Sequence, residues 1–413
     1  MPAVQSDDAK LALPQRFGEF LLFDKIGQGG MAEIFLGKAL GPLGQQRLTV
    51  IKRVLPLLSA DPQFSEMIIK EAKLCASLSH KNVVQVTDLG RVDDQLYIAM
   101  EYVEGFDLND LLRRCTKDRV PLPAEFIFFI VEEVLRALDY AHRATGPDGR
   151  PLGIIHRDVS PTNVLISCEG EVKLCDFGIA RAAASESALP EGVLKGKFAY
   201  MSPEQARGEV IDQRADLFVA GILLWELVAG HRLYRGSPDE VLAQARQGEA
   251  PPLPDRGLPD SEMIQRIVAR ALRPDPEERY QTAKDMLAAL GEYVRAAGLF
   301  VNELRFAEFL RGNFGDELQS QRRARERAST AVPPRTEDAE AAQVDEATPA
   351  APRISEWSWS GPPGEGERVS AEDTARLRAL RRGRPWVLRS PVVVVVTLLA
   401  LTLLAVTVYL YVR

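Results

Sequence analysis

The run Ile155-His156-Arg157-Asp158-Val159-Ser160-Pro161-Thr162-Asn163-Val164-Leu165-Ile166, followed by Lys173-Leu174-Cys175-Asp176-Phe177-Gly178, limits this chain more than any other part of it. Asp158, Asn163 and Asp176 are oxygen acceptors set among valine, isoleucine and leucine, where a merely structural segment has little use for them. Moving a phosphoryl group requires one carboxylate to take the incoming hydroxyl's proton and oxygen ligands to hold Mg²⁺ against the phosphates, all within a few ångströms. Asp158 suits the first task, and Asn163 and Asp176 suit the second.

In this order the two elements resemble the H-R-D-L-x-x-x-N and D-F-G signatures of the protein kinase family. Each alone is a weak three-letter match. Together, separated by two short β-type runs at 163–167 and 171–175, they are a specific one. The resemblance implies an α+β, bilobal fold, with a β-rich small lobe, a helical large lobe and Mg·ATP between them. It covers about residues 17–297. It is most similar to the eukaryotic-like serine/threonine kinases of bacteria, which often carry Gly-Gly-Met in the phosphate loop, Tyr-Met-Ser-Pro-Glu-Gln later, and a C-terminal membrane helix.

An apolar strand from Phe17 to Ile26 opens into Gly27-Gln28-Gly29-Gly30-Met31-Ala32-Glu33-Ile34. Glycines between paired strands let backbone N–H groups approach phosphate oxygens closely. A lone Gly-rich turn is more often a plain hairpin, but Thr49-Val50-Ile51-Lys52 follows one hairpin later, after the Gly41-Pro42-Leu43-Gly44 turn. By resemblance, Ile26 through Ile34, Val50 and Leu165 line the ATP site, and Lys52 holds the α- and β-phosphates. Lys52 in turn pairs with Glu71, on an amphipathic helix expected over 64–78 with Asp61 as N-cap. Strands are expected at 83–89 and 96–102. Met100 then lies behind the adenine ring, with backbone groups of Glu101 and Val103 bonded to it. Ala32 and Val50 depart from the usual glycine and alanine, which implies a slightly tighter site.

Helices at 108–114 and 124–142 and a loop at 147–151 lead to the catalytic stretch, and further helical patterns lie around Val241, at 264–272 and at 282–294. Residues 179–198 resemble an activation segment that closes at Ala199-Tyr200-Met201-Ser202-Pro203-Glu204. The resemblance implies a Glu204–Arg279 pair, an Asp216 anchor for the catalytic loop, and a phosphate on Ser185 or Ser187 that pairs with Arg157. Ser160 stands where these kinases usually carry lysine, and Lys197 where threonine is usual. An inverted arrangement is expected, in which Lys197 reaches over Ser160 and serves as a catalytic cation; the alternative is that Lys197 is a solvated loop charge and the enzyme works without that contact. The same departures support a rival reading, a catalytically impaired kinase-fold scaffold at the membrane. The survival of Lys52, Glu71, Asp158, Asn163 and Asp176 favours the enzyme.

The chain has 413 residues, 46% of them hydrophobic, and a formal net charge of −7, which argues against general nucleic-acid binding. Cys75, Cys115, Cys168 and Cys175 lack metal-ligand spacing and are expected as buried reduced thiols. Residues 1–16 read as a tail without a signal-peptide pattern. Residues 298–328 read as a helical extension, with Leu304, Phe306, Phe309 and Leu310 on the face that packs against the large lobe. Residues 329–390 read as a disordered linker in which Trp357 and Trp359 form a candidate docking motif. Residues 391–412 read as a transmembrane helix, since an uncharged apolar run from Val392 to Val412 spans roughly 30 Å. Arg376, Arg378, Arg381, Arg382, Arg384 and Arg389 precede it and place the kinase domain on the cytoplasmic side of a cell membrane. Only Arg413 follows it here, so no external sensor domain is expected. The expected partners are protein substrates, the lipid bilayer and a second copy in a kinase dimer.

Overall fold

The computed structural model describes residues 13–40, 46–177 and 198–330; the Glu71 side chain is not among the described groups. The architecture is bilobal, with a sheet-rich small lobe and a helical large lobe. Strands β1 (Gln15–Phe17), β2 (Phe20–Gln28), β3 (Ala32–Leu40), β4 (Gln46–Val54), β5 (Val86–Val92) and β6 (Gln95–Glu101) form one antiparallel sheet in the order β1-β2-β3-β4-β6-β5. Alternation along β4 sorts its residues between two faces. Ile51 joins Phe17, Phe20, Leu22, Phe35, Tyr97 and Ala99 in an outer apolar cluster, while Val50 packs against the main core. Lys52, two residues from Val50, shares its face. Helices α1 (Pro56–Ser59) and α2 (Pro62–Ala76) follow β4. The Asp61 carboxylate accepts from the N–H groups of Gln63 and Phe64 at 2.9 and 3.2 Å and so caps α2, which starts on Pro62.

The large lobe holds a small sheet of β7 (Gly105–Asp107), β8 (Val164–Ser167) and β9 (Val172–Leu174). Its described helices are α3 (Leu108–Lys117), α4 (Ala124–His142), α5 (Pro203–Arg207), α6 (Gln213–Ala229), α7 (Pro238–Gln247), α8 (Ser261–Ala271), α9 (Ala283–Ala297) and α10 (Glu303–Thr330). Every residue of α6 from Ala215 to Ala229 is buried, so this helix has no polar face and forms the axis around which the others pack.

Several elements differ from the sequence reading. The first expected strand is two, because Gly18 at φ +56 turns the chain between β1 and β2; the sheet therefore begins inside the expected tail. The strand expected at 83–89 starts at Val86, because Val83 and Val84 are paired with Leu174 of β9 instead. All four cysteines are free, but only Cys75 and Cys115 are buried; Cys168, at the β8–β9 turn, and Cys175 are half-buried.

Helix α10 runs two residues past the expected extension and kinks at Phe314 (φ −131, ψ 16). Its packed face is Phe306, Ala307, Leu310 and Phe314. Leu304, expected on that face, is exposed: at about 100° per residue it lies some 200° round the helix from Phe306. Among the described residues no helix is long and apolar enough to cross a membrane. The run 392–412, the linker from residue 331 onward with Trp357 and Trp359, and Ser185, Ser187 and Lys197 all lie outside the described residues.

Candidate active site

The loop that carries Asp158 is held from below by α6. Asp216 Oδ2 accepts the N–H of His156 at 2.8 Å, and its Oδ1 accepts that of Arg157 at 2.8 Å. His142 Nε2 makes a third contact with the same carboxylate at 2.8 Å. Burial alone would raise the Asp216 pKa, but the His142 hydrogen bond, the nearby His142 and the His156 N–H outweigh it and hold it below the ordinary value. The stability tied to Asp216 is therefore fully present above an unfolded pKa near 4 and is lost as pH falls through the depressed folded value. Asp216→Asn is expected to cost about 2 kcal/mol at pH 7 and to flatten the acid limb of a Tm-versus-pH profile. A variant with an unchanged acid limb would detach Asp216 from this role.

His156 is fully buried and fixed at both ring nitrogens. Nδ1 accepts the Asp158 N–H at 3.2 Å, so Nε2 carries the proton and donates to the Cys175 carbonyl at 3.0 Å. Burial lowers the His156 pKa, in keeping with this neutral tautomer. Its ring packs on Phe177 at 4.5 Å between centroids. Asn163 Nδ2 donates to the Asp158 carbonyl at 2.7 Å and to Asp158 Oδ2 at 3.2 Å, which leaves the amide oxygen as the end available to a cation. The Cys175 N–H bonds the Asn163 carbonyl at 2.9 Å, so the Asp158 loop and the Asp176 strand end are joined directly.

Arg157 (φ 65) and Asp176 (φ 57) both adopt the left-handed conformation. Such strain costs on the order of 1 kcal/mol per residue and persists only where surroundings enforce it. For Arg157 they do so from two sides: Asp216 takes its N–H, and Gln205 Nε2 donates to its carbonyl at 3.1 Å. Gln205 belongs to the capping box at the start of α5, so the segment after Tyr200 holds the catalytic loop's backbone. Sequence reasoning missed this contact.

Lys52 reaches down from β4 and donates to Asp176 Oδ1 at 2.9 Å. Burial opposes the Lys52 charge, but Asp176, with Cys175 and Asp158 farther off, outweighs it and raises the pKa. The partner assigned from sequence, Glu71, has its side chain outside the described groups; among the described groups Lys52 bonds Asp176. Register puts Ile34 and Ile98 beside Lys52, and Leu36 and Met100 beside Val50. At the Gly-rich turn, the Gly29 N–H bonds the Ala32 carbonyl at 2.8 Å, and the Leu55 N–H bonds that of Met31 at 2.9 Å. The Glu33 side chain is committed to Lys25 and Arg53, each at 2.6 Å, so only its backbone can serve a nucleotide.

At the hinge the Glu101 N–H is taken by the Gln85 carbonyl at 2.9 Å, which restricts its part in adenine binding to its carbonyl. Its carboxylate accepts from Lys173 Nζ at 3.1 and 3.2 Å and fastens the hinge to β9. Leu165 lies half-buried on β8, opposite Asp107 of β7.

The oxygens of Asn163 and Asp176 suit Mg²⁺, which binds through one or two protein ligands plus phosphates and water. Among the described residues there is no cluster of three or more His, Cys, Asp or Glu side chains that could hold a metal unaided. Such an ion would depend on the phosphates it accompanies.

Farther out, Arg279 is fully buried and makes a two-pronged contact with Glu204 at 2.7 and 2.8 Å. It also donates to the carbonyls of Arg273, Pro274 and Arg214 and lies 4.7 Å from the Phe218 ring centroid.

Residues 20–289 match the family described as "Protein kinase domain". This chain belongs to the protein kinase family. It is 40% identical over 312 residues to the tyrosine-protein kinase MasK of Myxococcus xanthus, a match covering 75% of this chain and 48% of MasK. It is 35% identical over 283 residues to the serine/threonine-protein kinase PknB of Mycobacterium leprae, covering 67% of this chain and 43% of the relative. The PrkC serine/threonine kinase of Bacillus subtilis is 33% identical over 290 residues, with 70% and 42% covered. The chain thus spans about half or less of the length of these relatives. The crystal structure of the Mycobacterium tuberculosis PknI kinase domain superposes with a TM-score of 0.51 at 28% identity, covering 69% of this chain and 99% of that one.

Proposed function

We propose that this chain is a serine/threonine protein kinase that transfers the γ-phosphate of ATP to protein hydroxyls, phosphorylates itself, and signals from the cytoplasmic face of a membrane. One observation carries the reading: Lys52 is bonded to Asp176 and Asn163 to Asp158, with the Cys175 N–H joining the two pairs, where the sheet meets the large lobe. Asp158 accepts the proton of the acceptor hydroxyl as its oxygen bonds to phosphorus. The bond from that phosphorus to the bridging oxygen breaks and leaves ADP. Lys52 holds phosphate oxygens. Asn163 and Asp176 would hold Mg²⁺, which would supply neutralising charge.

The Ser160 hydroxyl faces Thr162 Oγ1 at 3.0 Å, so this position offers a hydroxyl pair and no cation. In this reading Lys197 supplies the charge, and Lys197→Ala lowers kcat far more than it raises KM for ATP. Unchanged kcat would remove Lys197 from the site.

A second reading, tyrosine as acceptor, is favoured by the Myxococcus relative, a tyrosine-protein kinase 40% identical over the matched residues. Incubation of the full chain with labelled ATP and Mg²⁺, followed by phosphoamino-acid analysis, separates the two. Phosphoserine and phosphothreonine are expected; phosphotyrosine alone would favour the second. No label from wild type would leave the membrane scaffold.

The membrane part rests on the uncharged run from Val392 to Val412 and the arginines before it. The protein is expected in the membrane fraction, and removal of residues 391–413 is expected to release it with activity intact. Full-length protein soluble without detergent would overturn this.

A further inference from the structure

Helix α10 starts on the large lobe and ends on the small one. Its first half is seated by aromatic rings: Phe306 stacks on Phe126 at 4.8 Å and meets Phe129 edge-on at 6.1 Å, and Phe314 meets Phe106 at 6.1 Å. Gly170, at φ +84 in the β8–β9 turn, makes room for this seat, because a Cβ there would lie 2.0 Å from the Glu303 carbonyl. The kink at Phe314 has visible causes. Gly312 and Gly315 flank it, and Asn313 Nδ2 bonds the Phe309 carbonyl at 2.8 Å.

Beyond the kink, polar contacts climb from lobe to lobe. Glu317 pairs with Arg114 of α3, and Arg322 reaches Glu104 of the hinge at 4.0 Å. The Arg325 guanidinium lies 5.2 Å from the ring centroid of Tyr102 in the hinge. Arg325 also acts on Asp24 of β2: burial raises that carboxyl, and the Arg325 charge works against the rise. Finally, Lys38 of β3 donates to the Ser329 carbonyl at 3.3 Å. Arg325 thus touches the hinge and influences the strand that runs into the Gly-rich turn.

We propose that the second half of α10 is a strap that fixes the small lobe over the large one, and that Arg325 is its positioning residue, holding the hinge in the arrangement that binds nucleotide. This deepens the kinase reading and rests on it for its consequence, though not for its geometry. Without the strap the lobes sample more angles, and the apparent affinity for nucleotide falls by the fraction that remains competent.

The test uses the full chain and five variants: Arg325→Ala, Arg325→Lys, Glu317→Lys, the combination of Arg325→Ala with Glu317→Lys, and Arg323→Ala on an exposed position of the same turn. Hydrogen exchange without nucleotide is read at residues 20–28 and 101–105, and Mg·ATP affinity by calorimetry. Losing one cation–π contact of about 1 kcal/mol corresponds to about fivefold. Arg325→Ala is therefore expected to speed exchange at both segments and weaken Mg·ATP about fivefold, with kcat at saturating ATP unchanged. Arg325→Lys, which keeps the charge, recovers part of the loss. The combined variant is expected to lose little more than Arg325→Ala, since either change releases the same strap. Exchange in Arg325→Ala no faster than in Arg323→Ala would overturn the proposal, as would a combined variant that loses the full product of the two effects. A lowered Tm with exchange and affinity at wild-type values would show structural packing alone and equally overturn it. A wild type that does not bind Mg·ATP would sink the kinase reading, while exchange would still decide the strap.

Discussion

Replacing Asp158 with asparagine is expected to lower kcat by about 10²- to 10⁴-fold, the range spanned by a positioned general base, and to leave Mg·ATP affinity within a factor of about two. The split follows from the geometry. Asp158 is bonded by Asn163, and its own N–H rests on His156, so the asparagine is held in the same place without a group that can take a proton. Phosphate contacts are assigned elsewhere, to Lys52 and the Gly-rich turn. Lys52→Met should show the complementary pattern, with KM for ATP rising as well. Single-turnover phosphotransfer together with calorimetry separates the two, and an Asp158→Asn enzyme with wild-type kcat would sink the assignment.

The second large effect is on stability. Arg279→Met is expected to destabilise the large lobe by about 3–5 kcal/mol, because it leaves Glu204 buried and unpaired. Glu204→Leu combined with Arg279→Met should cost less than the sum of the two single changes, since the double variant strands no charge. Denaturant unfolding of all three variants gives the coupling. Simple additivity would mean that the two side chains do not depend on each other. Because Gln205 sits beside Glu204 and holds the Arg157 carbonyl, loss of the pair should also depress activity in molecules that remain folded.

Much of this arrangement was legible because it is written in short, local patterns. Asp158 and Asn163 are five residues apart on one loop, and Asp61 before Pro62 announces a helix start whatever the rest of the chain does. The Glu204–Arg279 pair lies 75 residues apart in sequence and could be reached only through family resemblance. What stayed hidden depends on how far a side chain reaches across segments that nothing in sequence relates. Gln205 has no reading of its own in the sequence, and Glu101 is read only for its backbone; each side chain proves to bind a distant partner. The arginines at 322–327 read as the ragged end of an extension before a linker. They lack an apolar stripe, and their helix is held by discrete contacts to Tyr102 and Glu104, which periodicity cannot reveal. The Lys52–Asp176 contact, 124 residues apart in sequence, was likewise beyond local pattern.

Helix α6 has one more consequence. The peptide N–H groups of His156 and Arg157 hang on a carboxylate near its first turn, and the rest of the helix is locked on all sides; at Gly221 even a methyl group would come within 2.9 Å of Ala271 Cβ and 3.1 Å of Leu272 Cδ2. A small sideways displacement anywhere along this axis has no slack to absorb it and must move Asp216. In a collection of randomly mutated alleles selected for lost kinase activity, a sizeable share should therefore map to the buried alanines and Gly221 of this one helix. Many of those alleles would still make full-length, folded protein.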